Sequence, residues 1–380
     1  MGLLRPARQR KHRPTTHILT LTLDFVSIAP SELVGTQEWP RNSVRARLAE
    51  KGTRLFGPYI AAFAGFKGDL KARKESHFCS ESYQSTKCCD TCGAIQPFTK
   101  AYHNMVLRFL LYTDFDLTAP WRSSVGSGFK KSPWNCIPGF HPDTVYYDLM
   151  HIGSLGTWRD LVAAVIIDML RRGELSRTSP ERALAALWIE YRAWLKSCGM
   201  AMQAGRFSLA TLGAEKAKHY PTLQSMVFKG ITVKSLVVFV ARKLGQMAAD
   251  TPYLKMRRCC MWAAADLIHV VDHAGIVLKP EEKTRLQFAS AIHIGTFAQM
   301  FVMTEGLYLY RPIPKWHYLE HVIEHAVRTN INPAVFSCWG DESFLARVKA
   351  LGVKCHGGTM LQRSLQRYLL MLGLRWRREK

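Results

Sequence analysis

The chain has 380 residues, of which 48% are hydrophobic and 21% charged, and this composition is typical of a globular protein rather than of a disordered tail. Lys and Arg number 52 against 29 Asp and Glu, which gives a formal net charge of +23. Such a charge favours an acidic partner, with nucleic acid ahead of an anionic membrane.

The first predicted elements are a basic leader and two strands. Residues 1–16 are rich in arginine, which is typical of a nuclear-import signal or a DNA-contacting arm. Residues 17–25 alternate apolar side chains with threonine, and residues 59–66 form a second apolar run. Both patterns predict strands. Asp24 lies at the end of the first strand and Asp69 just after the second, so each strand is expected to end at a carboxylate.

The middle of the chain is predicted to be helical. Thr157 with Asp160 has the pattern of a capping box, and Ser179 before Pro180 that of an N-cap followed by proline. Periodicity then predicts helices over 231–248, 254–274 and 280–304, and Pro314 opens another helix.

The cellular compartment is indicated by what the chain contains. No apolar run reaches the roughly 18 residues of a spanning helix, so no membrane partner is expected. The ten cysteines do not form the framework of a secreted disulfide protein, which indicates a reducing, intracellular compartment. With the basic leader, this predicts the nucleus.

The cysteine cluster is a candidate zinc site. Cys89-x-x-Cys92 has the spacing of half a zinc site, because two intervening residues allow both thiolates to reach one tetrahedral ion. Free buried thiols are the alternative. The candidates for the other half of the site are His77 and Cys79, or Asp148 and His151 from Asp148-Leu-Met-His151.

Three histidines, His317, His321 and His325, recur at every fourth position after Pro314. They fall on one helical face, and His321-Val-Ile-Glu-His325 has the form of the H-x-x-E-H pattern of inverted zincins. A metalloprotease is therefore a formal alternative, but three solvated histidines on an amphipathic helix is the expected structure.

The order of these motifs resembles that of transposases from CACTA (En/Spm-type) and Plavaka-like DNA elements. In that family the second catalytic Asp is followed by Cys-x-x-Cys, by Asp-x-x-His, by a helical insertion and finally by the catalytic Glu. The phrase from Pro314 to His321 is also similar to the PKxHxLxH phrase that precedes this Glu. The corresponding residues here are Asp69, Cys89 and Cys92, Asp148 and His151, and Glu342.

The resemblance implies an α/β fold with an RNase H-like core, residues 17–156 and 305–380, interrupted by a large α-helical insertion at 157–304. It implies cleavage and strand transfer of DNA, with Asp24, Asp69 and Glu342 binding two Mg²⁺ or Mn²⁺ ions. A homo-oligomer is a further expectation. Relatives carry an N-terminal DNA-binding domain ahead of the core, so we expect a fragment or a decayed copy. A catalytically inactive, transposon-derived nucleic-acid-binding protein is the second hypothesis.

Overall fold

The computed structural model describes residues 66–68, 70, 89, 145–175, 179–200, 205–216 and 218–340, with residues 350, 351, 353, 359, 363, 364, 366–371 and 374. The chain divides into two compact units, Met1–Ser337 and Cys338–Lys380. In the second unit, residues 366–371 are helical and Arg367 Nη1 donates to the Leu351 carbonyl oxygen at 3.3 Å.

The prediction of an α/β, RNase H-like core is wrong for the part of the chain that the structure describes, of which 68% is helical. Strands are confined there to β1 (Phe66–Gly68) and β2 (Val145–Tyr147), which pair in parallel over three residues. So short a pair does not make the sheet layer of an α/β core. The predicted strand at 17–25, and all but Phe66 of the one at 59–66, lie outside the described residues.

Helices predominate in the rest of the described first unit. The predictions over 231–248, 254–274 and 280–304, and of a helix opening at Pro314, are confirmed, with ends that differ by at most three residues. In chain order the helices are a π-helix (Met150–Thr157), α1 (Trp158–Arg171), α2 (Pro180–Ser197), α3 (Gly230–Gly245), α4 (Pro252–His273), α5 (Pro280–Met303), α6 (Pro314–Thr329) and a 3₁₀ turn (Pro333–Phe336).

Local sequence explains where most of these helices begin. The hydroxyl of Ser179 accepts a hydrogen bond from the Arg182 amide, and Pro180 is the first residue of α2, as predicted. α4, α5 and α6 also begin at proline, which lacks the N–H that a first turn would leave unpaired. The capping box at Thr157 is wrong: this residue already has helical dihedrals and its side chain caps nothing, because the chain enters α1 directly from the π-helix.

The core surrounds α1, whose residues from Trp158 to Met169 are nearly all buried. α4 and α5 pack as an antiparallel hairpin, and Asn332 fixes their turn by donating from its amide nitrogen to the carbonyl oxygens of Val271 at 3.0 Å and Gly275 at 3.1 Å. α6 covers the hairpin through Trp316, whose ring stacks on Phe297 with centroids 3.7 Å apart. The same helix brings its histidines into the interior.

By length and composition alone, α5 could span a membrane. Within its most apolar window, however, 44% of the residues are buried inside the protein. The helix packs on α4 and α6, and one such helix is weak evidence for a membrane span, because core helices of globular proteins meet the same criteria.

A buried network of charges joins α1 to α4. Asp168 of α1 accepts hydrogen bonds from Arg257, from Tyr253 at 2.9 Å and from Arg172 at 2.9 Å. Burial opposes the charge of Arg257, but Glu174 and Asp168 raise its pKa above the ordinary value. The Arg257 side chain is only 2% exposed, so its charge depends on these two carboxylates rather than on water.

Asp168→Asn should therefore lower the free energy of unfolding by about 3 kcal/mol or more, because it removes a charge that compensates buried arginine. Chemical denaturation measures this. Lys243→Met is the matched control: it breaks an ion pair with Glu190 in which both side chains are substantially solvated, 25% and 43% exposed, and should cost less than about 1 kcal/mol. Equal effects of the two substitutions would contradict a buried network.

Candidate metal centre

The first two histidines of α6 face the interior. His317 is 0% and His321 3% exposed, so the expectation of solvated histidines is wrong for both. Trp316 precedes His317, Tyr318 and Leu319 lie between the two histidines, and all three are buried. Large apolar side chains place this face of α6 in the core, and the two histidines are buried with it.

Cys89, which is far from these histidines in the sequence, lies beside them in the fold. Its Sγ lies 3.2 Å from Nε2 of His321, although the two residues are 232 positions apart. Nε2 of His321 in turn lies 3.0 Å from Nε2 of His317. The three ligand atoms all lie within 4.8 Å of one another, and all three residues are buried.

This arrangement fits a zinc ion. Zinc binds thiolate sulfur and imidazole nitrogen in a tetrahedron, and Zn–N bonds of about 2.0–2.1 Å hold neighbouring ligand atoms roughly 3.3 Å apart. The separations of 3.0 and 3.2 Å in the cluster are close to this value. One thiolate and two imidazoles are also a common ligand type for zinc, whereas Mg²⁺ prefers oxygen.

The surroundings of the cluster favour positive charge. Burial opposes protonation of His321, yet the Cys89 sulfur and the Glu324 carboxylate together raise its pKa to about 10. Oε2 of Glu324 lies 3.6 Å from Nδ1 of His321, on the side of the ring opposite the ligand atom. A carboxylate in that position orients a metal-binding imidazole and increases its basicity. Tyr147 flanks the thiolate, with its hydroxyl 3.6 Å from Cys89 Sγ.

The first and last residues of the Asp148-Leu-Met-His151 motif are bonded to each other. Asp148 follows β2 directly and is buried, and its carboxylate bonds Nδ1 of His151 and accepts the Met150 amide at 2.9 Å. Lys315 of α6 donates to the carbonyl oxygens of His151 at 2.7 Å and Leu155 at 3.1 Å. Lys315, two residues before His317, thereby bonds α6 to the π-helix.

A glycine permits this contact between the π-helix and α6. A Cβ at Gly156 would lie 2.3 Å from Cδ of Lys315. Any side chain at this position would displace the lysine that holds the two segments together.

The remaining predicted site residues lie outside the described part of the chain. These are the candidate catalytic residues Asp24, Asp69 and Glu342 and the candidate zinc ligands His77, Cys79 and Cys92. Among the described residues the partners of Cys89 are His317 and His321, which sequence reasoning did not connect with the cysteine cluster. The available signal was their placement between large apolar side chains, which indicates a buried face.

The cluster does not contain both histidines of the inverted-zincin pattern, His321 and His325. His321 faces His317, one turn earlier in α6. His325 instead packs its ring against Tyr146, with centroids 4.8 Å apart, and against Phe336. The pair required for an H-x-x-E-H metalloprotease is therefore not assembled around one point.

Comparisons of this chain with protein-family models, with curated proteins and with solved structures found no match.

The geometry predicts about one zinc ion per chain in protein purified without chelators. Cys89→Ser and His317→Asn should each lower the zinc content at least fivefold and, because structural zinc contributes directly to folding, also lower the thermal midpoint. Elemental analysis and thermal unfolding measure the two effects. Cys198→Ser, at a thiol outside the cluster, is the control and should retain full zinc. Full zinc content in the Cys89 variant would contradict the assignment.

Proposed function

We propose that this protein is a DNA-binding protein of the transposase type, in which a structural zinc ion bound by Cys89, His317 and His321 joins distant motif segments. The observation that carries the proposal is the meeting of three motifs. Cys89, the Asp148–His151 turn and the helix beginning at Pro314 are widely separated in sequence, and they lie against one another through His321 and Lys315. These are motifs whose order suggested the resemblance.

The spacing Cys89-x-x-Cys92 supports a structural rather than a catalytic zinc ion. Four protein ligands make a closed structural site, whereas catalytic zinc keeps a position for water. Cys92 is the candidate fourth ligand by its spacing from Cys89. Its substitution by serine should then release zinc as Cys89→Ser does.

Charge supports DNA as the partner. α2 and the segment that follows it present six exposed basic side chains that form no ion pair among the described residues: Arg182, Arg192, Lys196, Arg206, Lys216 and Lys218. Arg192 also lies over the Trp188 ring, 5.9 Å from its centroid. Unpaired basic groups along one helix and its loop are suited to the regularly spaced phosphates of a duplex.

Binding to duplex DNA should therefore weaken steeply with salt. Each neutralised phosphate contributes about −0.9 to the slope of log K against log[salt], and we expect a slope of about −4 or steeper with little sequence preference. The double variant Arg192→Ala/Lys196→Ala should make the slope shallower by about 1–2.

Fluorescence anisotropy at several salt concentrations measures this slope. Lys279→Ala/Arg311→Ala removes two exposed charges elsewhere and is the matched control, with an unchanged slope expected. A flat salt dependence of the unmodified protein would overturn DNA binding. An equal loss in both double variants would overturn the role of α2.

Strand cleavage is the second candidate function, and a specific feature of the strands favours it. β1 and β2 run parallel, with Gly68 opposite Tyr147, and the next residue in the chain is an aspartate in both cases, Asp69 and Asp148. Aspartates that directly follow strands are suited to divalent metal ions that cleave phosphodiesters, and the resemblance assigns this role to Asp69.

A nuclease and strand-transfer assay with Mg²⁺ or Mn²⁺ tests this candidate. Cleavage should be abolished by Asp69→Asn and by Glu342→Gln, while zinc content and DNA affinity stay unchanged. DNA binding without cleavage by the unmodified chain would leave the non-catalytic DNA-binding function and exclude the enzyme.

A further inference from the structure

A second histidine pair lies on the outer surface of α4, in the last turns of that helix. His269 and His273 are one helical turn apart, and their rings stack with centroids 4.2 Å apart. His273 is exposed and His269 partly exposed. Neither belongs to the buried cluster formed by Cys89 and α6.

The hydrogen bonds of this pair leave ring nitrogens accessible. Nδ1 of His273 donates to the carbonyl oxygen of His269 at 2.8 Å, so in the neutral ring Nε2 carries the lone pair. Within the described residues, the ring of His269 makes no hydrogen bond. Two imidazoles at positions i and i+4 point to the same side of a helix, which is the spacing that lets both bind one ion.

The surroundings of His269 favour its neutral form. Burial, His273 and Arg285 lower the pKa of His269, against the opposing effect of Asp266 and Asp272. A neutral imidazole is the form that binds metal.

The two nearby carboxylates are already engaged. Asp266 accepts two bonds from Nε of Arg285 at 2.9 and 3.0 Å, and Asp272 pairs with Lys234. The hard oxygen ligands that Mg²⁺ or Ca²⁺ would need are therefore committed elsewhere.

We propose that His269 and His273 chelate one divalent transition-metal ion at the surface of α4, with water in its other positions. The ligand class is the set of cations that prefer imidazole, namely Zn²⁺, Ni²⁺ and Cu²⁺. Chelation bridges one turn of the helix at its C-terminal end and stabilises the turn into α5. The proposal depends neither on the buried centre nor on DNA binding.

Calorimetric titration of the full chain, as purified, with Ni²⁺ tests the site. Either His269→Ala or His273→Ala should weaken this Ni²⁺ site at least tenfold, because the remaining imidazole no longer chelates. His219→Ala is the matched control, since His219 is exposed in a loop without a second histidine one turn away. It should leave the titration unchanged.

Thermal unfolding supplies a second measurement. Ni²⁺ should raise the midpoint of the unmodified protein, since a ligand that binds only the folded state stabilises it, and this rise should disappear in both single variants. Unchanged circular dichroism establishes that the variants are folded. The proposal would be overturned if the His269 and His273 variants bound Ni²⁺ as tightly as the His219 variant does, or if Ni²⁺ still raised their thermal midpoints to the same extent.

Discussion

The contact between Cys89 and α6 is the constraint on which the arrangement of the first unit depends. It closes a loop of 232 positions, and the length-dependent entropy cost of closing such a loop is about 5 kcal/mol. A thiol hydrogen bond to an imidazole contributes far less than this. The zinc ion proposed for this cluster would contribute roughly 10–16 kcal/mol, by comparison with small zinc proteins, which exceeds this closure cost.

The same constraint explains why α6 begins as it does. Pro314 opens the helix, Lys315 bonds two carbonyl oxygens of the π-helix, and His317 reaches the cluster. The first four residues of α6 therefore start the helix, bond it to the π-helix and supply one member of the cluster. Lys315 donates to two carbonyl oxygens of the π-helix and so fixes the start of α6 against it. A substitution at Gly156 would disturb this contact without touching a ligand.

Helices were predictable because their start signals are local. Ser179-Pro180 and the prolines at the beginning of α4, α5 and α6 act within one turn, whatever the rest of the fold does. The α/β fold class was wrong for the opposite reason. Apolar runs such as 59–66 suit a sheet only if distant partners pair with them, and the described strands pair over three residues only. Thr157 failed because a capping pattern does not reveal that the preceding segment is itself helical.

The site was predictable in part. The Cys-x-x-Cys spacing indicated metal at Cys89, since two thiolates three residues apart share an ion by local geometry. The histidine partners depend on tertiary packing: a period of four residues defines a face but not whether that face is buried. Trp316, Tyr318 and Leu319 carried this information, because large apolar side chains are usually buried and take their neighbours into the core with them.

Three buried polar centres in this unit illustrate three ways of placing polar groups in an interior. Asp168 and Arg257 neutralise each other, with Glu174 as a second anion. His293, fully buried beside Trp316, is kept neutral: burial lowers its pKa to about 4, and its Nδ1 is bonded to the Cys260 carbonyl.

The contact between Cys89 and His321 differs from both of these centres, because the neighbouring groups favour a cation there. A proton would supply one positive charge and bond two atoms, whereas a divalent ion bonds all three ligand atoms at once. This difference is the reason why we propose a metal ion rather than a proton at this centre.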